Sequence, residues 1–137
     1  ENLAAIAGMV AALKESLNCY QENMEHVESL KQQLLAELDG IDYYVNHDSH
    51  TLPYVINLGF PKQANDLLLM RLDLAGISIS TGSACTAGAI EPSHVLKAFY
   101  GSDSERLRES IRISFSEENT SEEVRQFTTT LKEILGG

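Results

Sequence analysis

Cationic side chains are scarce in this chain of 137 residues: ten Lys and Arg stand against twenty Asp and Glu, a formal net charge of -10 at pH 7. A nucleic-acid surface needs a basic stripe that displaces counterions from phosphates. The ten cations are scattered, so direct nucleic-acid binding is not expected. No apolar run approaches the roughly 18 residues needed to span a bilayer. The start lacks the charged, apolar and small-residue succession of a signal peptide. The expectation is a soluble, cytoplasmic protein with no membrane contact. Cysteine is limited to Cys19 and Cys85. A chain with 43% hydrophobic residues can bury an ordinary core without a bridge, and both are expected as thiols. A length of 137 residues falls inside the usual single-domain range, so one domain is the default, and no repeat or low-complexity stretch is seen. An initiator Met is also missing: Glu1-Asn2 runs straight into an apolar-periodic segment, which reads as a piece of something longer.

What is there begins with a stripe. Leu3, Ile6, Val10, Leu13, Leu17, Tyr20, Met24, Val27, Leu34 and Leu38 recur in steps of three and four, the period of one long helix or two in line. Asp39-Gly40 supplies its stop. Cys19 on this helix is expected to be a packing residue. Ile41 to Val45 and Tyr54 to Phe60 are rich in β-branched and aromatic residues and read as strands. They are separated by Asn46-His47-Asp48-Ser49-His50, which is turn chemistry. The two histidines lack thiol or further histidine partners at zinc spacing, and a solvated loop is expected there. Gln63 to Ala75 reads as a helix closed by Gly76, and Ile77 to Ser80 as a short strand. Pro92 suits the first turn of a helix, placing Ser93 to Tyr100 in one that ends at Gly101, with His94 a surface or capping residue. A short helix around Ser104 to Arg108 follows. Ile111, Ile113 and Phe115 alternate with Arg112, Ser114 and Ser116, the period of a strand with one apolar face. Thr120 or Ser121, followed by Glu122 and Glu123, caps a final helix.

The fold class is therefore α+β: a small, mainly antiparallel sheet covered by helices on one face, with a long N-terminal helix. Residues 1–39 form the long linking helix, and residues 40–137 an α/β sandwich with a cysteine loop at 81–91.

That loop, Thr81-Gly82-Ser83-Ala84-Cys85-Thr86-Ala87-Gly88-Ala89-Ile90-Glu91, is dominated by small residues. Cysteine is usually among the most buried side chains, yet here it has little apolar mass to bury it, and an accessible thiol is the expectation. A thiol attacks only as thiolate, so it needs a neighbouring cation, a helix N-terminus or a proton acceptor. The adjacent sequence offers no Lys or Arg. On composition alone, a reactive Cys85 and a structural cysteine in a glycine-rich connection both stay open.

The run Ser80-Thr81-Gly82-Ser83-Ala84-Cys85-Thr86, followed by Glu91-Pro92-Ser93 and Val95-Leu96, resembles the active-site loop of NifS/IscS-like cysteine desulfurases. Glu1 to Gly8 resembles the segment that follows the cofactor-binding domain of that family. Asn57-Leu58-Gly59-Phe60 resembles the strand before the loop, and Ser110 to Phe115 the later substrate-binding strand. Nearly the whole chain is covered in the family's order. The resemblance implies the C-terminal small domain of a class V, fold-type I enzyme dependent on pyridoxal 5'-phosphate. Such an enzyme converts L-cysteine to L-alanine and leaves a persulfide on Cys85. It implies Arg112 as the group that binds the substrate carboxylate, and Gly82, Ser83, Ala84 and Thr86 as the support of the loop. It also implies a homodimer at full length and a sulfur-acceptor protein such as an iron-sulfur scaffold, or a tRNA or thiamin thiolation pathway.

No metal site is expected. The lysine that holds the cofactor lies outside this chain in the family, and none of Lys14, Lys31, Lys62, Lys97 or Lys132 stands in a matching motif, so the chain alone is expected to be inactive. If the rest of the enzyme is missing, the long helix is expected to leave apolar area uncovered. The alternative is a stand-alone sulfur-relay or interaction module that works without a cofactor.

Overall fold

A computed structural model describes residues 1–46, 51–82 and 92–136. Helix α1 (Leu3–Glu37) leads into strands β1 (Tyr44–Val45) and β2 (Val55–Gly59). Helices α2 (Asn65–Leu74), α3 (His94–Tyr100) and α4 (Arg106–Glu109) precede strand β3 (Ser110–Ser114) and the last helix, α5 (Ser121–Gly136). The strands form one antiparallel sheet in the order β1-β2-β3.

Alternation along β2 and β3 decides which face is covered. Ile56 and Leu58 on β2 oppose Ile113 and Ile111 on β3, and all four side chains are buried. They pack with Leu30, Leu34 and Leu38, with Leu68 and Leu72 of α2, and with Val124, Phe127 and Leu131 of α5. The sheet is thus covered by helices on one face, as the pattern predicts. No helix among the described residues is long and apolar enough to cross a membrane.

Local chemistry sets the element ends. Thr120 Oγ1 accepts from the Glu123 amide at 3.2 Å while a Glu123 carboxylate oxygen accepts from the Thr120 amide at 2.7 Å, a capping box for α5. At the end of α2 the Ile77 amide donates to Leu72 O and the Gly76 amide to Asp73 O, each at 2.9 Å, with Gly76 at φ +80°. This helix-closing pair corrects one expectation. Ile77 serves the cap, so the strand expected over Ile77 to Ser80 contracts to a single bridge between Ser80 and Arg112. The first strand is also shorter than expected, because the Ile41 amide is used in a turn back to Leu38 O. Pro92 sits just before the helix rather than in its first turn. Ser93 is the N-cap, its hydroxyl accepting from the Leu96 amide.

Cys19 is exposed, which corrects the expectation of a packing residue. Two positions beyond Leu17 is about 200° around a helix, so Cys19 lies off the apolar stripe. The stripe itself is bare over its first half: Leu3, Ile6, Leu13 and Leu17 are between 50% and 70% exposed, and burial begins only near Val27. The first 22 residues are exposed throughout, a rod of about 30 Å by helical rise.

Two outcomes follow from this packing. An isolated helix of such length is marginal in water, so amide exchange in the chain by itself will show residues 3–22 exchanging close to the unprotected rate. Residues 27–37 will be protected with the core; equal protection along α1 would show a partner on the bare half. The second outcome concerns acid. Thr128 Oγ1 donates to Glu37 at 2.5 Å, and this bond, aided by Gln33, lowers the Glu37 pKa. The Thr120 amide does the same for Glu123, with Asn119 helping. A lowered folded-state pKa gives stability that is present above the ordinary value of 4.5 and lost as pH falls through the folded value. Thermal melts of Glu123→Gln will therefore show a shallower loss of stability between pH 5 and 3 than the parent, and Thr120→Ala will cost about 1 kcal/mol at neutral pH.

Candidate functional site

Because side chains alternate, the face of the sheet opposite the core carries Tyr44, Asn46, Val55, Asn57, Gly59, Ser110, Arg112 and Ser114. It is mostly polar. Asn57 stands directly across from Arg112 on β3, and Asn46 extends the row on the other side, its amide donating to Asn57 O at 2.9 Å. On the far edge of β3, the Ser80 amide donates to Arg112 O at 3.1 Å. The row Asn46, Asn57, Arg112, Ser80 crosses the sheet at right angles to the strands.

Arg112 is half-buried, and its Nε has no hydrogen-bond partner although it is shielded from solvent. Among the described residues no carboxylate pairs with it; the one ion pair there joins Arg125 to Glu122. The nearest acid in sequence on that side, Glu109, is already engaged. It accepts from the Lys62 amide at 2.6 Å and from the Tyr44 hydroxyl at 3.3 Å. Burial raises the Tyr44 pKa, with the Glu109 carboxylate adding to it. In a chain holding two acids for every base, an arginine with no acid partner among the described residues, on a polar face, is able to pair with an external anion.

A second cluster borders this row. The Arg106 guanidinium stacks between two rings, 4.3 Å from the Tyr44 centroid and 4.6 Å from that of Tyr100. Gly59 makes the room: a Cβ there would sit 2.1 Å from the Tyr44 ring. Sequence reading missed Tyr44, Arg106 and Tyr100. It also gave Asn46 and Asn57 no role, although the alternation that places Arg112 on the polar face places Asn57 beside it.

Of the residues singled out in the cysteine loop, Gly82 is described. It has φ +103°, a conformation suited to glycine, and its amide donates to Ser80 Oγ at 3.1 Å. A Cβ on Gly82 would meet Ser93 Cβ at 3.2 Å, so the points where the chain leaves and re-enters the described structure adjoin. Cys85, Ser83, Ala84 and Thr86 lie outside the described residues, as do His47 and His50. His94 is exposed, at the first position of α3. No cluster of metal-binding side chains occurs among the described residues.

Pyridoxal phosphate needs an amine for its Schiff base, a carboxylate at the ring nitrogen and donors for its phosphate. The eight residues of the polar face include neither a lysine nor an acid. They fit the reception of a carboxylate, and they do not fit the holding of the cofactor.

The Aminotransferase class-V family model matches residues 1–127. The IscS 1 protein of Bacillus subtilis is 45% identical over 98% of this chain and 36% of its own length. The cysteine desulfurase IscS of Dictyoglomus turgidum is 33% identical over 98% of the chain and 35% of its own length. Among solved structures, a NifS-like protein from Rickettsia africae superposes with a TM-score of 0.82 at 27% identity, covering all of this chain and 36% of the other. Another NifS-like protein gives 0.81 at 28% identity, over 99% and 34%. The chain thus spans about a third of the length of the relatives it matches. With an α+β fold that matches the C-terminal part of NifS-like structures and a family model covering most of its residues, the chain belongs to the class-V aminotransferase family, among its NifS/IscS-like members.

Proposed function

We propose that this chain is the C-terminal small domain of a cysteine desulfurase, supplying the sulfur-accepting thiol and the substrate-carboxylate anchor of an enzyme that converts L-cysteine to L-alanine. The observation that carries the reading is Arg112, with a shielded Nε that has no partner and with no acid beside it among the described residues. A planar guanidinium matches the two oxygens of a carboxylate. In sequence, Cys85 follows five positions after Ser80, whose backbone pairs with Arg112. By contour length Cys85 stays within about 18 Å of Ser80.

In this reading pyridoxal phosphate is held by residues outside this chain and weakens the substrate's carbon-sulfur bond when bound. The contribution of the chain is distinct. Arg112 holds the substrate carboxylate, and the thiolate sulfur of Cys85 bonds to the substrate sulfur as its bond to carbon breaks. Carbon keeps the electron pair and gains a proton, giving L-alanine, and Cys85 is left as a persulfide. A reducing cytoplasm suits a thiol that must be free between turnovers. The persulfide then passes to an acceptor protein, such as an iron-sulfur scaffold, or into tRNA or thiamin thiolation. The full-length enzyme is read as a homodimer. That the relatives extend to nearly three times the length of this chain supports a desulfurase domain over a stand-alone sulfur-relay module.

The test joins this chain to a cofactor-holding domain of the family. Cys85→Ala will abolish the persulfide and alanine production while the cofactor absorbance stays; undiminished turnover would remove Cys85 from the reaction. Arg112→Lys keeps the charge but loses the fork, and KM for L-cysteine will rise about 10- to 100-fold, the worth of a charged hydrogen bond. An unchanged KM would assign the carboxylate to another residue.

A further inference from the structure

The hydrogen bonds on the polar face fix the orientation of Asn57. They start from a group that can only accept. The Arg106 carbonyl accepts from the Ser110 hydroxyl at 2.6 Å, which commits the Ser110 proton, so Ser110 Oγ must itself accept from its other neighbour. That neighbour, Asn46, lies at 2.8 Å and therefore presents its Nδ2. The second proton of Asn46 Nδ2 goes to Asn57 at 2.9 Å, so the Asn57 atom facing β1 is Oδ1. A primary amide carries its oxygen and nitrogen on different edges. With the oxygen held toward β1, the NH2 group of Asn57 lies on the edge away from β1, where β3 and Arg112 stand.

The relay consequently adds donors on the Arg112 side of Asn57, while Asn46 Oδ1, on the β1 side of the row, is a buried acceptor without a partner. The Arg112 Nε has no partner, the amide edge of Asn57 offers two more N–H bonds, and Glu109 is turned away toward Tyr44 and the Lys62 amide. A neighbourhood with such donors and, among the described residues, without a facing acid is suited to an anion with several lone pairs. We infer that Asn57 is a second binding residue for the substrate carboxylate, donating through Nδ2 to the group that Arg112 pairs with. Ser110 and Asn46 act as positioning residues that keep its amide from flipping. This rests on the carboxylate role of Arg112 proposed above and adds to it: the site selects a carboxylate by a two-residue donor set.

The same relay assigns the cost of disturbing it. Asn57→Asp replaces the donor edge with an acceptor and sets a negative charge beside Arg112, which then pairs internally. Ser110→Ala removes the acceptor that fixes Asn46, so the Asn57 amide is released to turn its oxygen toward the anion for part of the time.

The experiment is a nitrogen-15 NMR titration of this chain under reducing conditions, following the Arg112 Nε–H and the Asn57 side-chain NH2 signals. L-Cysteine and L-alanine are the probes; cysteamine, which lacks the carboxylate, is the control. Both signals are expected to move on one binding curve with either amino acid and to stay still with cysteamine. Ser110→Ala is expected to weaken that curve several-fold, and Asn57→Asp to remove the Arg112 response. Movement of Arg112 with a stationary Asn57 NH2 would overturn the inference and leave the role of Arg112 intact. Two stationary signals at tens of millimolar amino acid would sink both. Movement of both signals with cysteamine would show that the carboxylate is not what is read.

Discussion

The pairing of β2 with β3 is the constraint on which the rest of the molecule depends. Ile56 and Leu58 face Ile113 and Ile111 across that pair, and the same register sets Asn57 against Arg112 on the other side. Side chains in a strand alternate with period two, so a slip of one residue exchanges the faces completely. It would carry Arg112 toward Leu34 and Phe127 and put isoleucines among the asparagines. The hydrophobic core is therefore also what aims the arginine. The buried isoleucines lock the register, and the polar row inherits its order from them. A substitution in the core can consequently displace Arg112 without touching a polar group.

The polar face has a second source of order. Stacking of Arg106 between Tyr44 and Tyr100 ties the α3 and α4 segment to the sheet, and the absent side chain of Gly59 lets the Tyr44 ring lie close to the strand. The Arg106 carbonyl then starts the hydrogen-bond chain through Ser110 and Asn46 to Asn57. Two arginines thus do different work on one surface. Arg106 spends its guanidinium on aromatic rings, a contact that needs no acid. Arg112 has an Nε without a partner, and the nearby carboxylate, Glu109, is directed elsewhere.

Much of this was legible in the residues, for reasons of short range. The step of three and four along α1, the alternation at Ile111, Arg112 and Ile113, the glycine after α2 and the Thr120 cap are each written within a few positions, and each is where it was expected. The failures also have a physical pattern. Ile77 to Ser80 has strand composition, but Ile77 was claimed by the end of α2; two local signals competed, and the closer hydrogen bond won. Cys19 was misjudged because it sits on the half of α1 that is exposed throughout, where even the apolar stripe is uncovered. The contact of Arg106 with Tyr44 joins residues 62 positions apart, and no local pattern encodes it. The resemblance pointed to Arg112; the lack of an acid partner for it among the described residues, and the amide row beside it, needed the fold.

The bare half of α1 belongs to the same argument about where stability resides. Residues 27–38 contribute Val27, Leu30, Leu34 and Leu38 to the core, so the helix is anchored at one end by packing. Beyond that anchor the stripe continues with the same spacing but with nothing against it. A helix gains most of its stability from burial of its apolar face rather than from propensity. Continuation of the stripe for six turns past the core is thus information about a surface that this chain does not itself supply. On the polar face, likewise, the eight described residues, Arg112 among them, include neither a lysine nor an acid.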